Sequence, residues 1–370
     1  MRNLANSNKT LPFYAKVTLV LVGLFTFITI LYSLQDIIVP IIYSVIIATV
    51  LSPVVNFLVR KNMNRLLATG ITVLSIVLVT LLLIALLSSQ LIQFADAIPK
   101  LINVFKQLLN DSILWISQHF NISTTELRKM ITTKNAELLS TSSSRIGATI
   151  ATTGSVLVVL FLIPVYVFMI LVYQPLLIEF THKLFSIKKH QSLNKVLTAT
   201  KHVIQSYLVG LLLEATIVAV LNSVSLLIIG IDYAILLGVI GAILNIIPYV
   251  GGIVAVALPM LIALATNSPS EAIIVFVVYM VIQLIDNNYI VPKVVASQVQ
   301  INALVSIIVV IAGSALWGIN GMFLSIPLTA IIKVICDNID ELTPWGYLLG
   351  EMPEPLASPI KVIKKIVLRK

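Results

Sequence analysis

Residues 234–266 read AILLGVIGAILNIIPYVGGIVAVALPMLIALAT, and they decide what kind of protein this is. The stretch carries no charged side chain, yet Asn245, Pro248, Gly251 and Gly252 interrupt its middle, with Pro259 further on. Proline removes a backbone donor and glycine holds a helix poorly, so 247–252 reads as non-helical. The arm before the break, 234–247, would rise roughly 21 Å as a helix against a hydrocarbon core of about 30 Å. That is too short to cross alone. Two half-length apolar arms around an unwound polar tip make a re-entrant hairpin or a pair of broken helices. Non-helical backbone survives at membrane depth only where protein covers it or a watery cavity solvates it. The working centre is therefore expected here.

The composition around this stretch agrees. Of 370 residues, 59% are hydrophobic and only 11% charged, with a mean hydropathy of +1.06. A soluble protein carries about 25% charged residues, so most of the chain belongs in lipid. The apolar runs are long and continuous, which excludes a β-barrel of short alternating strands. The reading is an all-α polytopic membrane protein. Its net charge of +9 fits basic loops that stay cytoplasmic and face anionic lipid, not nucleic-acid binding. A single cysteine, Cys336, allows neither an intramolecular disulfide nor a cysteine metal cluster. Arg2, Lys9 and Lys16 precede an apolar run without a small-residue cleavage site, so that run reads as a first span and not a signal peptide.

Taken in order, 1–95 holds three spans (17–34, 37–59 and 66–94). The loop Arg60-Lys61-Asn62-Met63-Asn64-Arg65 is basic and so cytoplasmic, which places the N-terminus on the same side. Residues 96–146 form an extracytoplasmic region whose first part, 100–120, is an amphipathic helix. A fourth span, 147–173, returns the chain. The basic segment 174–205 is expected to lie as helices on the cytoplasmic surface. Within the membrane core, 206–340, a fifth span (206–229) leads to the opening hairpin (234–266). A sixth (271–290) leads to a second broken apolar block, 303–335. There, Gly318-Ile319-Asn320-Gly321 separates two short arms. With a cytoplasmic basic tail over 341–370, the second hairpin enters from inside and the first from outside, the arrangement of an inverted-repeat transporter. The expectation is thus about six full spans and two broken hairpins. The alternative is that each arm spans by itself, giving ten crossings.

Two acids stand out. Glu214 sits mid-span in LLLEATIVAV, where a carboxylate costs about 2.5–3.5 kcal/mol to insert. It must face a cavity or a partner: a proton, cation or substrate site on one reading, an acid bonded to a neighbouring helix on the other. Tyr207, Gly210 and Glu214 share a stripe with Leu221. Asp286 lies in YMVIQLIDNNYIVPK, with Gln283 and Asn287 on the same face and Pro292 following. These polar groups either line a path or mark the membrane interface. Lys333 reads as a snorkelling side chain. His119, His182, His190 and His202 have no metal-ligand spacing, and there is no phosphate-binding glycine loop. No cofactor, metal or enzymatic activity is expected.

At three places the chain resembles the autoinducer exporter family, the PerM-like permeases of bacteria. They are Leu244-Asn245-Ile246-Ile247-Pro248-Tyr249-Val250-Gly251-Gly252 with Pro259, then Asp286-Asn287-Asn288-Tyr289-Ile290-Val291-Pro292-Lys293, then Gly318-Ile319-Asn320-Gly321 with Ile326-Pro327-Leu328. Two departures are visible: the family usually has glutamate where Asp286 stands, and often proline near Ala303. The resemblance implies a homo-oligomeric multi-pass permease of the inner membrane. Some members are linked to export of a furanone signal, others to exchange of sodium or lithium for protons. The first expectation is a proton-coupled exporter of a small polar metabolite or signal. Its path would run between the hairpins past Glu214, Asn245, Pro248, Gly251, Gly252, Pro259, Gln283, Asp286, Asn287, Pro292, Gly318 and Gly321. A monovalent cation/proton antiporter and an oligomeric channel or scaffold are the alternatives.

Overall fold

The computed structural model describes residues 12–120, 123–124, 153–247, 251–266, 268–294 and 301–351. Pro248, most of the polar region after Phe120 and the basic tail beyond Glu351 lie outside the described residues. Every described element is helical, as a polar backbone in lipid requires if its N–H and C=O groups are to be satisfied internally. The helices are α1 (Phe13–Ser33), α2 (Gln35–Arg60), α3 (Arg65–Phe120), α4 (Thr153–Leu184), α5 (His190–Ile229), α6 (Ala234–Asn245), α7 (Gly251–Thr266) and α8 (Pro269–Ile285). A π-helical turn (Asp286–Ile290), α9 (Val291–Val294), α10 (Ala303–Asp337) and α11 (Thr343–Leu349) complete the order.

Seven helices among the described residues are long and apolar enough to cross a membrane, α10 among them. Length misleads for α10. Its backbone breaks at Trp317 (φ −134°, ψ 18°) and Gly318 (φ 60°, ψ −135°), and a Cβ added to Gly321 would land on the carbonyl of Gly313. Eight residues of straight helix would hold those two glycines roughly 12 Å apart. The chain has turned back on itself. Its first foot is tied to the segment that follows its second: the Asn302 amide N–H donates to Leu349 O at 3.1 Å, and Asn302 Nδ2 to Leu348 O at 2.8 Å and Gly350 O at 3.0 Å. The break is tighter than the four-residue link expected from Gly318 to Gly321.

α6 and α7 form the other hairpin. Gly251 abuts the Leu244 carbonyl, and a Cβ on Gly241 would lie 3.7 Å from Ala255 Cβ, so the arms run antiparallel. Here too the break is shorter than expected, because Gly251 and Gly252 already begin α7.

The two hairpins insert from opposite ends of the bundle. Leu236, at the foot of the first, donates its N–H to Gln90 Oε1 at 2.9 Å, and Phe94 meets Tyr233 edge-on. That is the end of the α2–α3 pair far from its basic turn. Trp317, at the tip of the second, donates Nε1 to Leu31 O at 3.0 Å, just before the α1–α2 turn at that same end. One hairpin's foot is level with the other's tip.

Two parts of the chain differ from expectation. The third span and the amphipathic segment are one continuous helix, α3, of 56 residues. The basic segment 174–205 is not a separate layer of surface helices. α4 runs on to Leu184, a short 3₁₀ turn (Ile187–Lys189) follows, and α5 enters the bundle directly from His190. Prolines near two of these joins do not end the helices: Pro99 lies inside α3 and Pro175 inside α4, although each lacks an amide hydrogen.

Candidate functional site

Glu214 and Asp286 come from different helices to the wall of one cavity of about 1380 Å³. α5 supplies Glu214, Tyr207 and Leu211 from a single stripe, as the three-to-four-residue spacing requires. The residue at 210 on that stripe is a buried glycine. The end of α6 supplies Asn245, and the first turn of α7 supplies Gly252. Gln283, Asp286 and Asn287 come from the end of α8 and the π turn, and Asn302, Ser306, Tyr347 and Glu351 at the feet of the second hairpin also line the cavity.

The position of Asp286 follows from local sequence. Pro292 has no N–H to offer the carbonyl of Asn288, and its ring crowds that carbonyl. The helix widens to the π form one turn earlier, beginning at Asp286. Such one-turn π segments recur at functional sites. The carboxylate is only 1% exposed, and its Oδ2 accepts a 2.7 Å hydrogen bond from Asn245 Nδ2. That bond ties the broken tip of the first hairpin to the broken helix of the sixth span. Gln283 Nε2 donates to Asn287 Oδ1 at 3.3 Å, holding the face together on the cavity side. Gly252 permits the approach: a Cβ there would stand 2.8 Å from Gln283 Oε1.

The structure thus gathers Glu214, Asn245, Gly252, Gln283, Asp286 and Asn287 in the wall of one cavity. Other residues expected on the path shape the backbone instead. Gly251 and Pro259 are buried in hairpin packing, Gly321 lies against Gly313, Gly318 makes the turn, and Pro292 is exposed beyond the π segment. Pro248 is outside the described residues. Lys333 is paired with Asp337 one turn on. Two participants were not singled out from sequence, Asn222 and Tyr279, which stand buried behind Asp286. Each had a signal, since Asn222 continues the Glu214 stripe at i+8 and Tyr279 precedes Gln283 by one turn. Among the described residues no group of three or more His, Cys, Asp or Glu side chains could hold a metal ion.

Comparison with known families agrees with this architecture. Residues 19–341 match the family model of the AI-2E family transporters. The chain belongs to that family. It is 26% identical to a candidate transport protein of Haemophilus influenzae, over 96% of this chain and 99% of that one. Against the AI-2 transport protein TqsA of Escherichia coli the identity is 26%, covering 86% and 90% of the two chains. YueF of Bacillus subtilis, also a candidate transport protein, is 25% identical over 82% and 84%. Membership makes this a multi-pass protein of a membrane transporter family, and no enzyme function is assigned to it by that likeness.

Proposed function

We propose that the protein is a secondary transporter of the bacterial inner membrane that exports a small polar metabolite or signal, driven by the proton gradient. The observation that carries the reading is one cavity whose wall holds two acids, Glu214 and Asp286, with Asn245 bonded to the second. An acid in the low dielectric of a span is held there for function by default, and a protonatable pair in the wall of a substrate cavity is what proton coupling requires. The volume favours an organic cargo over a bare cation. About 1380 Å³ exceeds the usual range of roughly 300–1,000 Å³ for small-molecule sites, whereas a dehydrated ion needs a close cage of oxygens. That TqsA is named an AI-2 transport protein supports a cargo of the same class here.

Loop charge supports cytoplasmic termini, and with them a cytoplasmic position for the cavity wall at the feet of the second hairpin. Hairpins inserted from opposite ends support alternating access around a fixed central site. No residue of α1 is buried, which leaves that helix free to meet lipid or further copies of the chain in a homo-oligomer.

The test is transport in proteoliposomes under an imposed pH gradient, with wild type, Glu214→Gln and Asp286→Asn. Saturable, gradient-driven flux of a small polar signal, lost in either variant, is the expected result. Saturable exchange of sodium or lithium alone would replace it with an antiporter, and a gradient-independent leak with a channel. Absence of any flux would leave a scaffold.

A further inference from the structure

Behind Asp286, on the side away from the large cavity, lies a second chamber of about 10 Å³. That is close to the smallest space that admits one water molecule. Its wall includes Asn222 from α5, Gly241 and Asn245 from α6, Ala255 from α7, and Tyr279 from α8. Three residues of this wall each carry a polar atom buried without a hydrogen-bond partner: Asp286 Oδ1, Asn222 Oδ1 and Tyr279 Oη. Their residues are 1%, 2% and 5% exposed. A single orphaned buried polar atom is already costly, and three facing one small chamber call for a common occupant.

We infer that this chamber holds one ordered water, and that Asn222 and Tyr279 act through it as positioning residues for Asp286. The inventory of donors and acceptors selects water. Asp286 Oδ1 and Asn222 Oδ1 need donors, and the Tyr279 hydroxyl hydrogen needs an acceptor. One water gives two hydrogens and accepts one, making the three bonds usual for a buried water. A bare monovalent cation would take lone pairs from the oxygens and leave the tyrosine hydrogen without an acceptor. With water in place Asp286 is held on both oxygens, Oδ2 by Asn245 and Oδ1 by the water. The polar path also gains one step past the Asn245–Asp286 bond, along α5 towards the foot of the first hairpin. The other titratable groups facing this carboxylate are Glu214 and Tyr207 of α5, with Tyr347 and Glu351 on the far wall of the large cavity. α6 and α7 carry none.

The site and its role are tested separately, because the role rests on the proton-coupled reading and the site does not. A high-resolution structure of the full chain in nanodiscs should show one peak within hydrogen-bond distance of all three atoms. It should be unchanged when thallium replaces sodium, and absent from Gly241→Ala. A Cβ at 241 stands 3.3 Å from Asn222 Nδ2 and 3.7 Å from Tyr279 Oη, so it fills the chamber without forcing the backbone. An empty chamber, or a peak that strengthens with thallium, overturns the water. Tyr279→Phe keeps the ring and removes the hydroxyl. Its flux should show a pH midpoint displaced by about one unit, a tenfold change in proton occupancy, at unchanged saturation behaviour. A wild-type pH profile in that variant overturns the positioning role. If the wild type carries no proton-driven flux, the transporter reading fails while the density still decides the water.

Discussion

Asn245 and Asp286 form a side-chain pair that joins two broken elements at membrane depth. Replacing Asn245 with alanine leaves Asp286 Oδ2 buried without its donor, a loss of about 1–3 kcal/mol. A lowered melting temperature of the detergent-solubilised protein would register it, and Asp286→Asn in the same background should recover part of the loss by removing the charge. Glu214 lines the same cavity but is not a member of that pair. Glu214→Gln should leave the melting temperature near that of wild type while gradient-driven flux falls at least about tenfold, equivalent to 1.4 kcal/mol of coupling. A variant that melts early would instead make Glu214 a packing residue.

The second hairpin exists as an element because small residues let its arms touch. A Cβ at Gly321 would meet the Gly313 backbone, which cannot swing aside as a side chain can. Gly321→Ala is therefore expected to cost about 1–3 kcal/mol or more through overpacking. Gly318 has open space around it, but its φ of 60° and ψ of −135° suit glycine alone. Gly318→Ala should cost about 1–3 kcal/mol through backbone strain. Gly23 has neither constraint, with nothing within 4 Å of an added Cβ, and Gly23→Ala should stabilise α1 by up to about 1 kcal/mol. Thermal melts of the three variants separate the causes: two losses and no loss. A harmless Gly321→Ala would mean the arms do not pack as closely as the structure has them.

Over the whole molecule, opposed hairpins make a prediction about sidedness. With Cys336 changed to serine, a cysteine at Asp232, beside the foot of the first hairpin, should label from outside intact cells. One at Glu351, beside the feet of the second, should label only in inverted vesicles. Labelling of both from one face would overturn this sidedness, which the ten-crossing arrangement shares. The same geometry places the acids deep between the hairpins, where rocking one hairpin against the other would expose them alternately.

Much of this was legible along the chain, for physical reasons that differ by feature. Apolar run length and the low charge content determined the helical membrane class, because lipid leaves the backbone few alternatives. Proline and glycine at 248–252 and the glycines at 318–321 marked where to look for both breaks, although Gly251 and Gly252 themselves begin α7. Glu214 and Asp286 announced themselves as costly groups in apolar surroundings. The lengths of α3, α4 and α5 were not legible, because prolines such as Pro99 and Pro175 are accommodated inside helices and only neighbours decide where each helix leaves the bundle. Nor was the sharing of roles among Gly251, Gly252, Gly313 and Gly321. A glycine reads the same in sequence whether it opens a cavity or lets two backbones meet, and only the atoms opposite it settle which. The chamber behind Asp286 belongs wholly to the tertiary structure. Asn222 and Tyr279 are separated from Asp286 by 64 and 7 residues, and only the packing of α5, α6 and α8 brings three unpartnered oxygens round one space.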